Sequence, residues 1–226
     1  MSERTFDDVK DAILSAHKST EAKDKVDFYN TWAEKYDQDV ALLDYHAPSL
    51  AANCLSSCFH GDPDTALVLD VACGTGLFAT ELKRMGFMHF VGVDGSIGML
   101  ELASKTGLYQ DLRQCMLGDG ELPVQAEQFD VVAIIGALSI GHVPVRVIRE
   151  LCQVTKPGGY ICMTTRANQD NLDYKAELEH ELKLMEEAGL CARIVFKEVE
   201  EWEKAVSDQE QAYIPGVVYV YRKSSQ

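Results

Sequence analysis

The sequence predicts an α/β fold: a doubly wound, mostly parallel seven-stranded sheet that ends in an antiparallel strand pair. Three observations predict it. From residue 66 to residue 189, short apolar runs alternate with helix-spaced apolar stripes, the pattern of repeated β-α-β units. The run Phe129 to Ile135 is almost continuously apolar, as expected of a strand covered on both faces. Beyond Gly189 come two strand-like runs, 192–200 and 213–221, with no complete helical pattern between them, which favours an antiparallel pair at the far side of the sheet.

The elements follow in order. Residues 1–60 read as helical: Val9, Ile13 and His17 share one face, and Trp32, Tyr36, Val40 and Leu43 another. Pro48 is suited to the first turn of a further helix carrying Leu50, Cys54, Leu55 and Cys58. Gly61-Asp62-Pro63-Asp64 breaks the chain, so residues 1–60 are expected to form a helical cap and 61–226 one compact core. Ala66 to Val71 is the first strand, and Leu77 to Met85 a helix stopped by Gly86. Phe90 to Asp94 is the second strand, Ile97 to Lys105 a helix, and Gln114 to Gly118 a short third strand. After the fourth strand, Val143, Val147, Ile148, Leu151 and Val154 make a helical stripe that stops before Pro157-Gly158-Gly159. Tyr160 to Thr165 is the fifth strand, and Tyr174, Leu178, Leu182 and Met185 mark a helix ending near Gly189.

Composition narrows the function. Of 226 residues, 46% are apolar and 25% charged, which excludes a disordered polyelectrolyte and a collagen-like chain. Lys and Arg number 21 against 36 Asp and Glu, a formal charge of −15. Phosphate-backbone binding is driven by Lys and Arg, so a nucleic acid partner is not expected. The seven cysteines are odd in number and scattered, several inside apolar runs, and read as reduced core thiols. Cys54, Cys58 and His60 have metal-like spacing but no second ligand pair follows, and no metal is expected. The first residues carry no apolar signal segment, and the longest apolar stretch, about 131–143, is short of the roughly 20 residues that span a bilayer. A monomeric, cytoplasmic protein without a membrane partner is expected, with a nuclear location also open.

The chemistry concentrates at strand ends, where ligands of doubly wound sheets bind. Val68-Leu-Asp-Val-Ala-Cys-Gly-Thr-Gly-Leu77 runs from a strand through a glycine pair straight into a helix. Glycines allow close backbone approach, and the helix start offers unpaired N–H groups. Gly74-x-Gly76-x-x-Ala79 matches the dinucleotide fingerprint formally, but the Asp70 carboxylate would repel a pyrophosphate and suit a cationic ligand end such as an ammonium. Asp94 ends the second strand 20 residues after Gly74, where a carboxylate can accept both hydroxyls of an adenosine ribose. Ser96 and Met99 open the next helix, equally readable as cap and core or as ligand contacts.

The segment Asp70-x-Ala72-x-Gly74-x-Gly76 resembles the first motif of the class I S-adenosylmethionine-dependent methyltransferases, (Asp/Glu)-x-Gly-x-Gly-x-Gly, departing from it at Ala72. The resemblance covers about residues 26–165 and implies a Rossmann-like core, S-adenosylmethionine as cofactor and S-adenosylhomocysteine as product. It assigns Asp119, in Gly118-Asp119-Gly120-Glu121, to the adenine amino group, with Gly120 and Glu121 beside it. Ala72, Thr75, Gly76 and Gly95 would complete the cofactor loops. Gly136-Ala137 and the following segment to Pro144 would face the transferred methyl group, with His142 as candidate base or, equally, as a helix-entry residue. Tyr29, Trp32 and Tyr36 lie in a segment resembling the family's Tyr-x-x-Trp-Ala-x-x-Tyr-Asp, in a helix over the cofactor whose aromatic faces would exclude water; ordinary core packing is the competing reading. The implied activity is methyl transfer to an unidentified small-molecule or protein acceptor. Two rivals stand beside it: a nicotinamide dehydrogenase, disfavoured by Asp70, and a non-catalytic cofactor-binding module acting with a protein partner.

Overall fold

The computed structural model describes residues 5–10, 22–206 and 212–225. Val9 lies in a helical segment at 6–10 and is buried; the expected helical partners Ile13 and His17 lie outside the described residues. Helix α1 (Ala22–Leu42) and helix α2 (Ala47–Cys58) precede a seven-stranded sheet. The strands are β1 (Leu67–Val71), β2 (His89–Asp94), β3 (Tyr109–Gln114), β4 (Phe129–Leu138), β5 (Thr155–Arg166), β6 (Cys191–Lys204) and β7 (Tyr213–Lys223), in the spatial order β3-β2-β1-β4-β5-β7-β6. β1 to β5 pair in parallel; β7 returns antiparallel between β5 and β6. Helices α3 (Leu77–Arg84), α4 (Ile97–Lys105), α5 (Val147–Val154) and α6 (Leu172–Glu187) complete the fold.

Side chains alternate across the sheet with period two, and each face has its own core. Leu69, Val71, Val132 and Ile134 pack with Ile148 and Leu151 of α5 and Leu178 and Leu182 of α6. Val68, Val131, Ala133 and Cys162 pack on the other face with Ala51 and Leu55 of α2 and Phe78 and Leu82 of α3. Strand order reverses between β1 and β4, so their carboxyl ends diverge and open a crevice.

The third strand departs from expectation: it spans Tyr109–Gln114, not 114–118. It is an edge strand with a half-exposed pattern, so its polar sequence hides it, while the apolar Met116 and Leu117 that suggested a strand face a cavity. The fifth strand begins at Thr155 and takes in Pro157-Gly158-Gly159 as an irregular stretch where the register with β4 shifts and Gly158 adopts a φ of +76°. α5 starts only at Val147, yet Val143 and Val145 ahead of it are still buried. All seven cysteines are free thiols, and no cluster of three metal-ligating side chains occurs among the described residues. No described helix is long and apolar enough to cross a membrane.

Candidate functional site

The glycine loop between β1 and α3 is built on left-handed backbone. Ala72, Gly74 and Gly76 have φ values of +55°, +54° and +97°. Only glycine takes such angles without steric cost, so the alanine shows that the loop conformation is imposed by its surroundings. A Cβ built on Gly74 would meet nothing within 4 Å: the loop faces open space. Asp94 ties the loop to β2. One carboxylate oxygen accepts the Gly74 N–H at 2.9 Å and the other the Ser96 N–H at 2.8 Å. Burial raises its pKa, opposed by those backbone donors. Ser96 caps α4 by accepting the Met99 N–H, so its capping role is realised.

Three adjoining cavities meet at this crevice. The first, about 790 Å³ with the solvent at its mouth included, is lined by Ala72, Gly74, Asp94, Gly95, Ser96 and Met99 from the β1 and β2 ends. Met116, Leu117, Gly136, Ala137 and His142 close it from β3 and β4, and Tyr29 and Tyr36 from α1. A smaller cavity, about 350 Å³, shares Tyr36, Ala72 and Gly74 with the first and adds Asp70 and Thr75. The Asp70 side chain is 1% exposed, and one of its oxygens accepts the Tyr109 hydroxyl at 2.7 Å. Burial holds its carboxyl at about 7 in place of 3.8, with the Tyr109 hydrogen bond pulling down and the Asp94 charge adding to the rise.

The third cavity, about 700 Å³, shares Tyr29, Tyr36, Gly136 and His142 with the first. Trp32, Val40 and Tyr45 form one side, Ser139 and Thr164 the sheet end, and Arg166, Trp202 and Glu203 the far wall. His142 stands between the two larger cavities. Its Nε2 lies 3.3 Å from the Tyr29 hydroxyl and its Nδ1 3.0 Å from the Ser139 hydroxyl and 3.4 Å from the Ile140 carbonyl. Burial pushes Tyr29 up to about 12, so the phenol keeps its proton and can donate it to Nε2. In that arrangement Nδ1 carries the ring proton toward Ser139 and Ile140, and the Nε2 lone pair accepts from Tyr29, which itself lines both larger cavities.

Helix α1 roofs the crevice and is stitched to it. Asn30 accepts the Ser96 hydroxyl at 2.7 Å and the Gly98 N–H at 3.0 Å, and Asp37 accepts the Thr75 hydroxyl at 2.6 Å. Its end is pinned to β6, where the Lys204 N–H donates to the Leu43 carbonyl at 2.7 Å. Trp32 is buried, donates to Asp39 at 2.6 Å and borders the third cavity rather than the first. Gly76 caps α3 and lines none of the three cavities. Asp119, Gly120 and Glu121 line none of them either, whereas Met116 and Leu117 of the same loop border the first. That loop is anchored by Arg146, which donates to the Gly118 carbonyl. Sequence reasoning missed Tyr45, Arg166, Trp202 and Glu203, which carry no local motif.

The residues fit S-adenosylmethionine. The open glycine loop beside one buried and one half-buried carboxylate at adjoining strand ends suits a ligand with an ammonium at one end and a ribose diol in the middle. Comparisons with known proteins agree. A family model described as "Methyltransferase domain" matches residues 69–163. Human methyltransferase-like protein 27 is 51% identical over 188 residues, covering 83% of this chain and 76% of its own length. Among solved structures, a chain of the Haloferax volcanii complex containing the Trm112 methyltransferase activator superposes with a TM-score of 0.66 at 15% identity, covering 88% of this chain and 96% of that one. A SAM-dependent methyltransferase from Thermotoga maritima gives 0.58 at 20% identity, with 87% and 98% covered. At these identities the structural likeness is one of fold.

Proposed function

This chain belongs to the S-adenosylmethionine-dependent methyltransferases, and from that premise we propose that it methylates a small molecule held in the cavity between α1, the β5 end and β6. The observation that carries this reading is the wall shared by the two larger cavities. Tyr29, Tyr36, Gly136 and His142 border both, so a molecule in one lies against a molecule in the other.

S-adenosylmethionine, when bound, supplies an electrophilic methyl group on a sulfonium. The remaining work falls to positioning, water exclusion and proton transfer by the chain itself. The Asp94 oxygens, already fixed by the Gly74 and Ser96 amides, would hold the ribose hydroxyls. Met99, Met116 and Leu117 would form the apolar walls for the adenine. Asp70, in the side cavity with Ala72, Gly74 and Thr75, would hold the ammonium, whose charge would offset the cost of keeping that carboxyl ionised. His142 Nε2 would take the Tyr29 proton as the Tyr29 hydroxyl takes the acceptor's, and Ser139 and Ile140 at Nδ1 would hold the imidazole in the required tautomer. The Tyr29 and Tyr36 rings would close the methyl group off from water, with α1 acting as the lid.

The test incubates the protein and methyl-labelled cofactor with a fractionated small-molecule extract. A labelled product in a low-mass fraction, absent with His142→Asn, supports the proposal. Label only in protein fractions would move the acceptor to a protein. Tight S-adenosylhomocysteine binding with no labelled fraction would favour a cofactor-binding module that acts through a partner.

A further inference from the structure

The third cavity is lined by several hydroxyls and by one cation, which is paired with one carboxylate. Arg166, at the carboxyl end of β5, is the only Lys or Arg among the described residues lining the two larger cavities. Its side chain is 23% exposed, and its ion pair, with Glu203, spans 3.9 Å. That is beyond the 2.7–3.2 Å or so of an N–H···O hydrogen bond. A guanidinium carries five N–H donors. With Glu203 beside one edge, the rest of this fork is left to serve a ligand. Tyr36 and Tyr45 border the same cavity. Burial raises both phenols above their ordinary range, so they remain protonated and add two hydroxyl donors.

The walls are aromatic. Trp32 and Tyr36 meet edge to face at 4.9 Å, Tyr29 and Trp32 lie 5.9 Å apart, and Trp202 closes the far side. Such rings offer faces and edges to an aromatic guest. A guanidinium among aromatic rings suits an aromatic guest that ends in a carboxylate, which matches the fork in two parallel hydrogen bonds.

We propose that the acceptor of this enzyme is an aromatic organic acid, seated with its carboxylate on Arg166 and its methyl-accepting hydroxyl or amine toward His142. This deepens the methyltransferase reading and rests on it. Glu203, in the wall of the same cavity, would hold one edge of the guanidinium and leave another to the carboxylate. Because the chain as a whole is strongly acidic, selection of an anion has to come from this one local contact rather than from long-range attraction.

The experiment titrates protein saturated with S-adenosylhomocysteine against benzoate, 4-hydroxybenzoate and indole-3-acetate, each beside its primary amide, and against tyramine. At least one acid is expected to bind tenfold or more tightly than its amide. Arg166→Gln should erase that preference while leaving S-adenosylhomocysteine affinity unchanged, and Arg166→Lys should keep only part of it. The acid-to-amide comparison in the wild-type protein stands even if the variants fold poorly. The proposal falls if no acid outbinds its amide, if the preference survives in a folded Arg166→Gln protein, or if tyramine binds most tightly, which would make Glu203 the anchor of an amine site. Failure of wild-type protein to bind S-adenosylhomocysteine would overturn the methyltransferase reading itself, and this proposal with it.

Discussion

Replacing Asp70 by Asn should stabilise the ligand-free protein at alkaline pH while weakening its hold on the cofactor. The carboxyl is 1% exposed and sits at about 7 in place of 3.8, because burial outweighs the hydrogen bond from Tyr109. A carboxyl whose pKa is raised by folding costs nothing while both states are protonated, below about pH 4. Its cost grows as pH rises and is complete above about pH 7. At 1.36 kcal/mol per pKa unit, the ceiling is about 4 kcal/mol. Asp70→Asn removes this cost but keeps a buried amide, at about 1–2 kcal/mol, for a net gain of about 2–3 kcal/mol at pH 8. At pH 5 most of the carboxyl's cost is absent, so the gain should be smaller there by about 2–3 kcal/mol. Urea unfolding of both ligand-free proteins at the two pH values measures the difference. Calorimetry with S-adenosylhomocysteine should show at least tenfold weaker binding to the variant at pH 8. Wild-type affinity should itself decline as pH falls below 7, since the ammonium then has to displace a proton. A variant no more stable than wild type at pH 8 would refute the electrostatic reasoning. Unchanged cofactor affinity would remove Asp70 from the ammonium site.

Asp94→Ala should weaken S-adenosylhomocysteine by about 2 kcal/mol or more, since charge-assisted hydrogen bonds are worth about 1.5–3 kcal/mol and the Gly74 and Ser96 amides lose their acceptor as well; an unaltered dissociation constant in a folded variant would take Asp94 out of the site. His142→Asn should lower turnover on the identified acceptor by about 10²–10⁴ with cofactor affinity within a few-fold of wild type. A loss confined to cofactor affinity would make His142 a binding residue only. Amide hydrogen exchange should show protection by S-adenosylhomocysteine growing most in α1, because burying part of one aromatic ring returns roughly 1–2 kcal/mol, enough to shift a closing equilibrium several-fold. Equal protection with and without ligand would mean that the bonds from Asn30 and Asp37 already hold α1 as a fixed helix.

Features written locally in the chain are legible from the amino-acid sequence alone. The order of strands and helices follows from apolar spacing, because each element must bury one face or both. The glycine loop with Asp70, and Asp94 at the next strand end, are legible because a close backbone turn and a strand-end carboxylate are each encoded within a few consecutive residues. The third strand escapes this reading because its place on an exposed edge leaves no apolar signature, whereas Met116 and Leu117 owe their apolar character to a cavity instead of a sheet. What only tertiary structure decides is the third cavity. Tyr29 and Tyr45, His142, Arg166 and Glu203 are spread along the chain and share no motif. They meet because α1 folds back over the crevice and because β7, inserted antiparallel beside β5, carries the end of β6 to the roof, where the Lys204 amide bonds the Leu43 carbonyl. Local sequence can specify which element forms. The company a side chain keeps at the end of that element depends on strand order and on packing across the sheet, which are properties of the whole chain.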